Sequence, residues 1–104
     1  MKIQFNTDKN IQGTENTEAF VSESIKSKLK HFSDKISRIE VHFSDQNAQK
    51  AGTDDIQCKI EARIEGVQPI LASGKSNTKE KALNSAIDKI KVALDKVIGK
   101  MKDN

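Results

Sequence analysis

The chain opens with Met1, Ile3 and Phe5 alternating with Lys2 and Gln4, a period of two that predicts a half-buried strand ending near Asn6-Thr7. Residues 10–16, with Gly13 among small polar residues, predict a loop. Val21, Ile25, Leu29 and Phe32 then recur at helical spacing, so a helix is expected through about Phe32. After a short turn over Ser33 to Ser37, alternation returns at Ile39, Val41 and Phe43, which predicts a second strand. The segment Asp45 to Asp54 has no apolar period and reads as a long hairpin loop. In a third strand Ile56, Cys58, Ile60, Ala62 and Ile64 face one way, with Gln57, Lys59, Glu61, Arg63 and Glu65 opposite them.

Glu65-Gly66 predicts a turn, and Ile70 to Ser73 a short fourth strand ended by Gly74. Asn77 is placed to cap the next helix, with Glu80 in the position of a capping box. Along that helix Leu83, Ile87, Ile90, Leu94, Val97 and Met101 form one apolar stripe. The order is β-α-β-β-β-α. Four strands with one apolar face need the two helices to cover it, so the expected architecture is an α+β two-layer sandwich with both helices on one face of the sheet. A right-handed crossover makes the first two strands parallel, and hairpins make the rest antiparallel.

A length of 104 residues suits a single domain spanning 1–104. Apolar residues make up 35% and charged residues 32%, the balance of a thin core under a heavily solvated surface. No run of residues is long and apolar enough for a membrane span, and no signal-peptide core begins the chain, so a cytoplasmic protein without a membrane partner is expected. Trp and Tyr are absent, and Phe5, Phe32 and Phe43 are assigned to the core, which disfavours base stacking as a mode of recognition.

The sequence carries no recognisable catalytic pattern. His31 and His42 have no accompanying nucleophile or metal-ligand spacing, and the residues show no phosphate-cradling glycine loop. Cys58, the single cysteine, lies among inward-facing residues and reads as a small hydrophobe. Asp45, Asp54 and Asp55 lack the glycine and terminal glutamate of a calcium loop. No enzyme, small-molecule substrate, cofactor or metal is expected.

The net charge is only +3, but it is unevenly spread: residues 67–104 hold eight lysines against four acids. On a helical wheel Lys81, Lys89, Lys96 and Lys100 fall within an arc of about 100° opposite the apolar stripe. Lys26 and Lys30 are likewise opposite the stripe of the first helix. Such lysines are either a solvated face or a surface for phosphates. If nucleic acid binds, the contact is directed by shape and depends steeply on salt.

Ala72-Ser73-Gly74-Lys75, a short polar turn, and then Ala82, Leu83, Ile87, Asp88, Lys89, Ile90, Leu94 and Lys96 follow a recognisable pattern. Upstream, Thr17-Glu18-Ala19 at a helix start and His31-Phe32 before a turn and strand fit it too. Over nearly its whole length the chain resembles the short ribosome hibernation-promoting factors and ribosome-associated inhibitors, the sigma-54 modulation proteins. The resemblance implies a fold like that of double-stranded-RNA-binding domains, seated on the small ribosomal subunit between head and body. There it would block tRNA and mRNA. It also implies that Lys75, Lys89, Lys96 and Lys100 meet ribosomal RNA, whereas Lys26, Lys30 and Lys81 rest on wheel geometry. The chain departs from the family at Thr78-Lys79-Glu80, where Asp-x-Tyr is frequent, and at Val92, where an arginine is frequent. Ending at Asn104, it is expected to act without dimerising ribosomes and to be a monomer when free.

Three readings follow. A small-subunit inhibitor needs a basic ridge continuous across both helices. A general binder of structured RNA needs only an A-form duplex. A protein-interaction domain would use the wet sheet face or the hairpin, its lysines serving only solubility.

Overall fold

The computed structural model describes residues 1–8, 15–45 and 56–102, with residues 101 and 102 described by backbone alone. The predicted loops at 10–16 and 45–54 therefore fall largely outside the described residues, as does the side chain of Met101. Strands β1 (Lys2–Thr7), β2 (Ile36–Asp45), β3 (Ile56–Ile64) and β4 (Ile70–Ser76) form one sheet in the order β1-β2-β3-β4. Helix α1 (Glu15–Lys28) joins β1 to β2, and α2 (Lys79–Lys102) follows β4. The pairing β1-β2 is parallel, while β2-β3 and β3-β4 are antiparallel. This is the expected β-α-β-β-β-α, α+β architecture.

Both helices cover the same face. Val21 and Ile25 of α1, Ile39, Val41 and Phe43 of β2, Cys58, Ile60 and Ala62 of β3, and Leu83, Ile87, Ile90 and Leu94 of α2 are fully buried in one cluster. At the β1 edge, Phe5 is half-buried and meets Phe43 edge-on, with ring centroids 5.9 Å apart. Thr17 of α1 accepts a hydrogen bond from Lys79 of α2 (3.3 Å), and Lys28 donates to Asn84. Further along, His31 and Phe32 lie beside Lys91, Asp95 and Ile98. The two helices thus ascend side by side in the same direction.

Four boundaries differ from the sequence reading, each for a local reason. The first helix stops at Lys28, and Phe32 reaches the core from a 3₁₀ turn at Lys30–Phe32. The tighter turn brings residues three apart onto one side, so Leu29 and Phe32 both point inward. The second strand starts at Ile36, within the expected turn, because the register slips between Ile36 and Arg38. That bulge lets Ile36 and Ile39, three residues apart, both face the core, and Ser37 Oγ donates to the Arg63 carbonyl (3.0 Å).

The third difference is at Gly74, which does not end β4 but sits within it, paired with Cys58. A Cβ there would lie 2.6 Å from Ser85 Cβ and 2.7 Å from both the Ala82 oxygen and the Ala86 nitrogen of α2. The glycine marks the closest approach of helix to strand. The fourth is the cap of α2. Thr78, not Asn77, takes that role: its Oγ1 accepts from the Lys81 amide (3.1 Å) and its carbonyl from Ala82 (3.0 Å). Glu80 is thereby one position short of a capping box. The glycine turn between β3 and β4 is as read, with Val67 donating to Ile64 (3.1 Å) around Gly66 at φ +82°.

Gly74→Ala is expected to destabilise the fold by about 1–3 kcal/mol or more, the range for overpacked cores, measured by urea denaturation. Ser85→Gly in that background should restore only part of the loss, because two of the three close atoms are backbone. Thr78→Ala should cost about 1 kcal/mol by the same measurement, with Asn77→Ala near neutral.

Candidate nucleic-acid interface

The small residues Ala82 and Ala86 turn one flank of α2 toward β4, where Gly74 receives them. Asn84, bonded to Lys28, marks the opposite flank, toward α1. With Lys81 set at 0° on the wheel, Lys96, Lys89 and Lys100 fall at about 60°, about 80° and about 100°, on the β4 side with Ala82. Asp88, Asp95, Asn84 and Glu80 fall between about 340° and about 260°, on the α1 side. Helix α2 therefore sorts its charges. Lysines without acids line the outer and β4 flanks, while the valley toward α1 carries both signs, including Lys91 and Lys28.

Lys89 is the best-defined member of this row. Its ammonium reaches round to the sheet edge and donates to the Ser73 carbonyl of β4 (3.0 Å). Lys75 follows two residues later, exposed, on the sheet face that the helices leave open. Lys81, Lys96 and Lys100 are exposed on α2.

Lys26 does not join them. The flank of α1 that meets α2 carries Thr17 and Lys28, and Lys26 points about 160° away from Lys28. It lines a shallow hollow with Ala19, Ser22 and Glu23 on the far side of α1. Lys30 is exposed on the 3₁₀ turn. The ridge across both helices that the sequence reading required is not formed: Lys26 lies on the far side of α1, and the basic surface instead runs along α2 and over the β4 edge.

The departures at Thr78, Glu80 and Val92 now have positions. Thr78 caps α2, and Glu80 is exposed on the α1 side. Val92 is 56% exposed in the middle of the lysine row, where it offers no donor to a phosphate.

The open sheet face is organised by ion pairs. Arg38 faces Arg63 and Glu40 faces Glu61 across β2 and β3, like against like. Contacts along the strands and one diagonal resolve the conflict: Arg63 Nε donates to Glu61 Oε2 on its own strand (2.8 Å), and Glu40 lies 3.8 Å from Arg38 on its own strand and 3.9 Å from Arg63 diagonally across. The Arg63 hydrogen bond holds the Glu61 carboxyl below its usual range, and the same bond raises the Arg63 guanidinium. The cross-strand register adds a cation that the sequence reading left among the wet-face residues. Lys59, exposed on this face, stands directly opposite Ser73. Only strand pairing could reveal that neighbour, since the two residues are far apart in sequence.

Among the described residues no group of three or more His, Cys, Asp and Glu side chains could hold a metal. Nor, among those residues, is any helix long and apolar enough to cross a membrane. His31 and His42 are both exposed, one at the 3₁₀ turn and one on the open face. Cys58 is fully buried, as expected, and burial pushes its thiol up to about 12.

Residues 5–102 match the family model described as sigma 54 modulation protein / S30EA ribosomal protein. The chain belongs to that family. Its fold is similar to that of a ribosomal subunit interface protein from Coxiella burnetii, with a TM-score of 0.73 at 18% identity, covering 95% of this chain and 99% of that one. It is equally similar to the N-terminal domain of Thermus thermophilus Protein Y, with a TM-score of 0.73 at 16% identity over 93% and 99% of the two chains. No curated protein sequence matches the chain. At these identities the structural likeness speaks for the fold, and the family model carries the membership.

Cys58 should resist thiol reagents at pH 8 in the folded protein and react once urea unfolds it, as followed by absorbance with an aromatic disulfide. The unfolded thiol ionises near 9.0 and the folded one near 12, so the unfolded state sheds its proton first as pH rises. The Cys58 contribution to stability is therefore complete below pH 9 and declines toward pH 12, and Cys58→Ala should remove that component of the slope.

Proposed function

We propose that this protein binds the small ribosomal subunit through the lysine row of α2 and the adjoining β4 edge, and in doing so inhibits translation and promotes ribosome hibernation under stress. The observation that carries this reading is the sorting of charge on α2 in a member of a ribosomal-protein family. A purely solvating helix gains nothing from collecting lysines on one flank and acids on the other, whereas a surface for phosphates requires it. The similar structure described as a ribosomal subunit interface protein is in keeping with the same partner.

The mechanism is occupancy rather than catalysis. Lysine ammoniums act as point charges toward phosphates, and the 24-residue α2, about 36 Å long, presents them along a rigid rod suited to the backbone of structured RNA. Without Trp or Tyr, and with Phe32 and Phe43 in the core, base stacking contributes little. We assign the RNA contacts to Lys75, Lys81, Lys89, Lys96 and Lys100, with Lys30 at the rim of the same subunit contact and Lys26 at most a peripheral charge. The protein acts as a single domain over 1–104, as a monomer when free, in the cytoplasm and without a cofactor.

Co-sedimentation with separated small subunits, large subunits and assembled ribosomes tests this. The wild type should pellet with small subunits and assembled ribosomes at low salt and be released as salt rises. Lys96→Glu with Lys100→Glu should keep the circular dichroism of the wild type yet lose most pelleting, and each lysine removed should lower the salt slope by about one. Displacement by bulk duplex RNA would instead mark a general RNA binder. Unchanged pelleting of the double variant would remove α2 from the contact and favour a protein partner on another face.

A further inference from the structure

Three lysines from different elements converge on Ser73. Lys89 comes from α2 and bonds the Ser73 carbonyl at 3.0 Å. Lys59 comes from β3, directly opposite Ser73 in the antiparallel register, which places the two Cβ atoms about 5 Å apart. Lys75 is two residues further along β4 on the same open face, about 7 Å away along the strand. Lys59 and Ser73 also line one shallow depression together with Leu71 and Ala72.

The neighbouring acids do not neutralise this cluster. Glu40 and Glu61 share a shallow hollow with Lys59, but Glu61 is bonded to Arg63 and Glu40 lies against Arg38 and Arg63, so two arginines already balance these two carboxylates. Among the described residues no acid pairs with Lys59, Lys75 or Lys89, and the Ser73 hydroxyl makes no hydrogen bond. Three exposed cations with no ion-pair partner of their own raise the local positive potential, which favours an anion among them. The Ser73 hydroxyl supplies a donor in their midst.

We infer that the β4 edge around Ser73 is a seat for a phosphate oxyanion, formed by Lys59, Lys75, Lys89 and the Ser73 hydroxyl, and that it takes a backbone phosphodiester of bound RNA. This deepens the ribosome-binding reading and rests on it for the source of the phosphate. It carries the RNA surface round the sheet edge onto the face opposite the helices, and it gives Lys59 and Ser73 a binding role. The Lys89 ammonium has three protons, so it can hold the Ser73 carbonyl and a phosphate oxygen together.

Two measurements decide it. Titrating the isolated protein with inorganic phosphate, at constant ionic strength held by chloride, should shift the amide resonances of Lys59, Ser73 and Lys75 along a saturating curve. Lys59→Ala should weaken that binding by about two- to fivefold, the range of one screened ion pair. Shifts spread equally over Lys2 and other surface lysines, or unaltered by Lys59→Ala, would overturn the seat. In co-sedimentation, Lys59→Ala should weaken pelleting with small subunits and lower the salt slope by about one, while α2 is intact. If Lys96→Glu with Lys100→Glu abolishes pelleting but Lys59→Ala changes nothing, the seat is not on the RNA path and the inference fails while the ribosome reading stands. If the wild type does not pellet at all, the ribosome reading fails with the RNA assignment, and a localised phosphate titration then supports a free-phosphate seat alone.

Discussion

The missing Cβ at Gly74 sets how α2 lies on the sheet. With no side chain on β4 at that point, Ala82 and Ala86 bring the helix backbone against the strand, and Leu83, Ile87, Ile90 and Leu94 follow into the core. The rotation of α2 about its own axis is then no longer free. Any larger residue at 74 would meet backbone atoms of the helix, which cannot step aside as a flexible side chain would. Because the apolar stripe and the small flank are both seated, the charged positions fall where they must: acids toward α1, lysines outward and toward the β4 edge. One absent methyl group thus links packing to electrostatics.

The electrostatics of the two sheet faces and of the edge divide the molecule further. On the open face, Arg38, Arg63, Glu40 and Glu61 form a charge-balanced lattice in which like charges opposite one another are reconciled along each strand and by one diagonal contact. Exposed pairs of this kind contribute little to stability, but they remove the acids from circulation. Next to that balanced lattice, Lys59 and Lys75 leave the adjoining part of the face net positive. The lysines on α2, the Lys89 contact to the strand edge, and Lys59 and Lys75 beside Ser73 then make one continuous surface of a single sign. Such a surface draws polyanions at range, and its affinity falls steeply with salt.

The parallel ascent of α1 and α2 has a consequence for partner geometry. Thr17 with Lys79 and Lys28 with Asn84 tie both ends of α1 to the first turns of α2, and the valley between them is of mixed sign. A nucleic-acid backbone laid in that valley would meet Glu80, Asp88 and Asp95. Laid along the β4 side it meets lysines only. The fold therefore offers one polarised flank rather than two equivalent helices, and the first helix serves chiefly to close the core over β1 and β2.

Hydrophobic periodicity alone was enough for the element order, the parallel crossover, the inward Cys58 and the apolar stripe of α2, because a period of two or 3.6 reports directly which face of an element leaves water. It misplaced Ile36, Phe32 and Gly74 because a bulge, a 3₁₀ turn and a close approach each break the ideal period or have no side chain to report. The lysine row on α2 was likewise legible from spacing along a single helix. Which way that row faces was not, since it depends on how Gly74 seats the helix. Nor could the chain by itself place Lys59 beside Ser73, or draw Lys89 to the strand edge. Those neighbours come from strand register and helix docking, which join residues distant in sequence, and only the packed tertiary structure decides them.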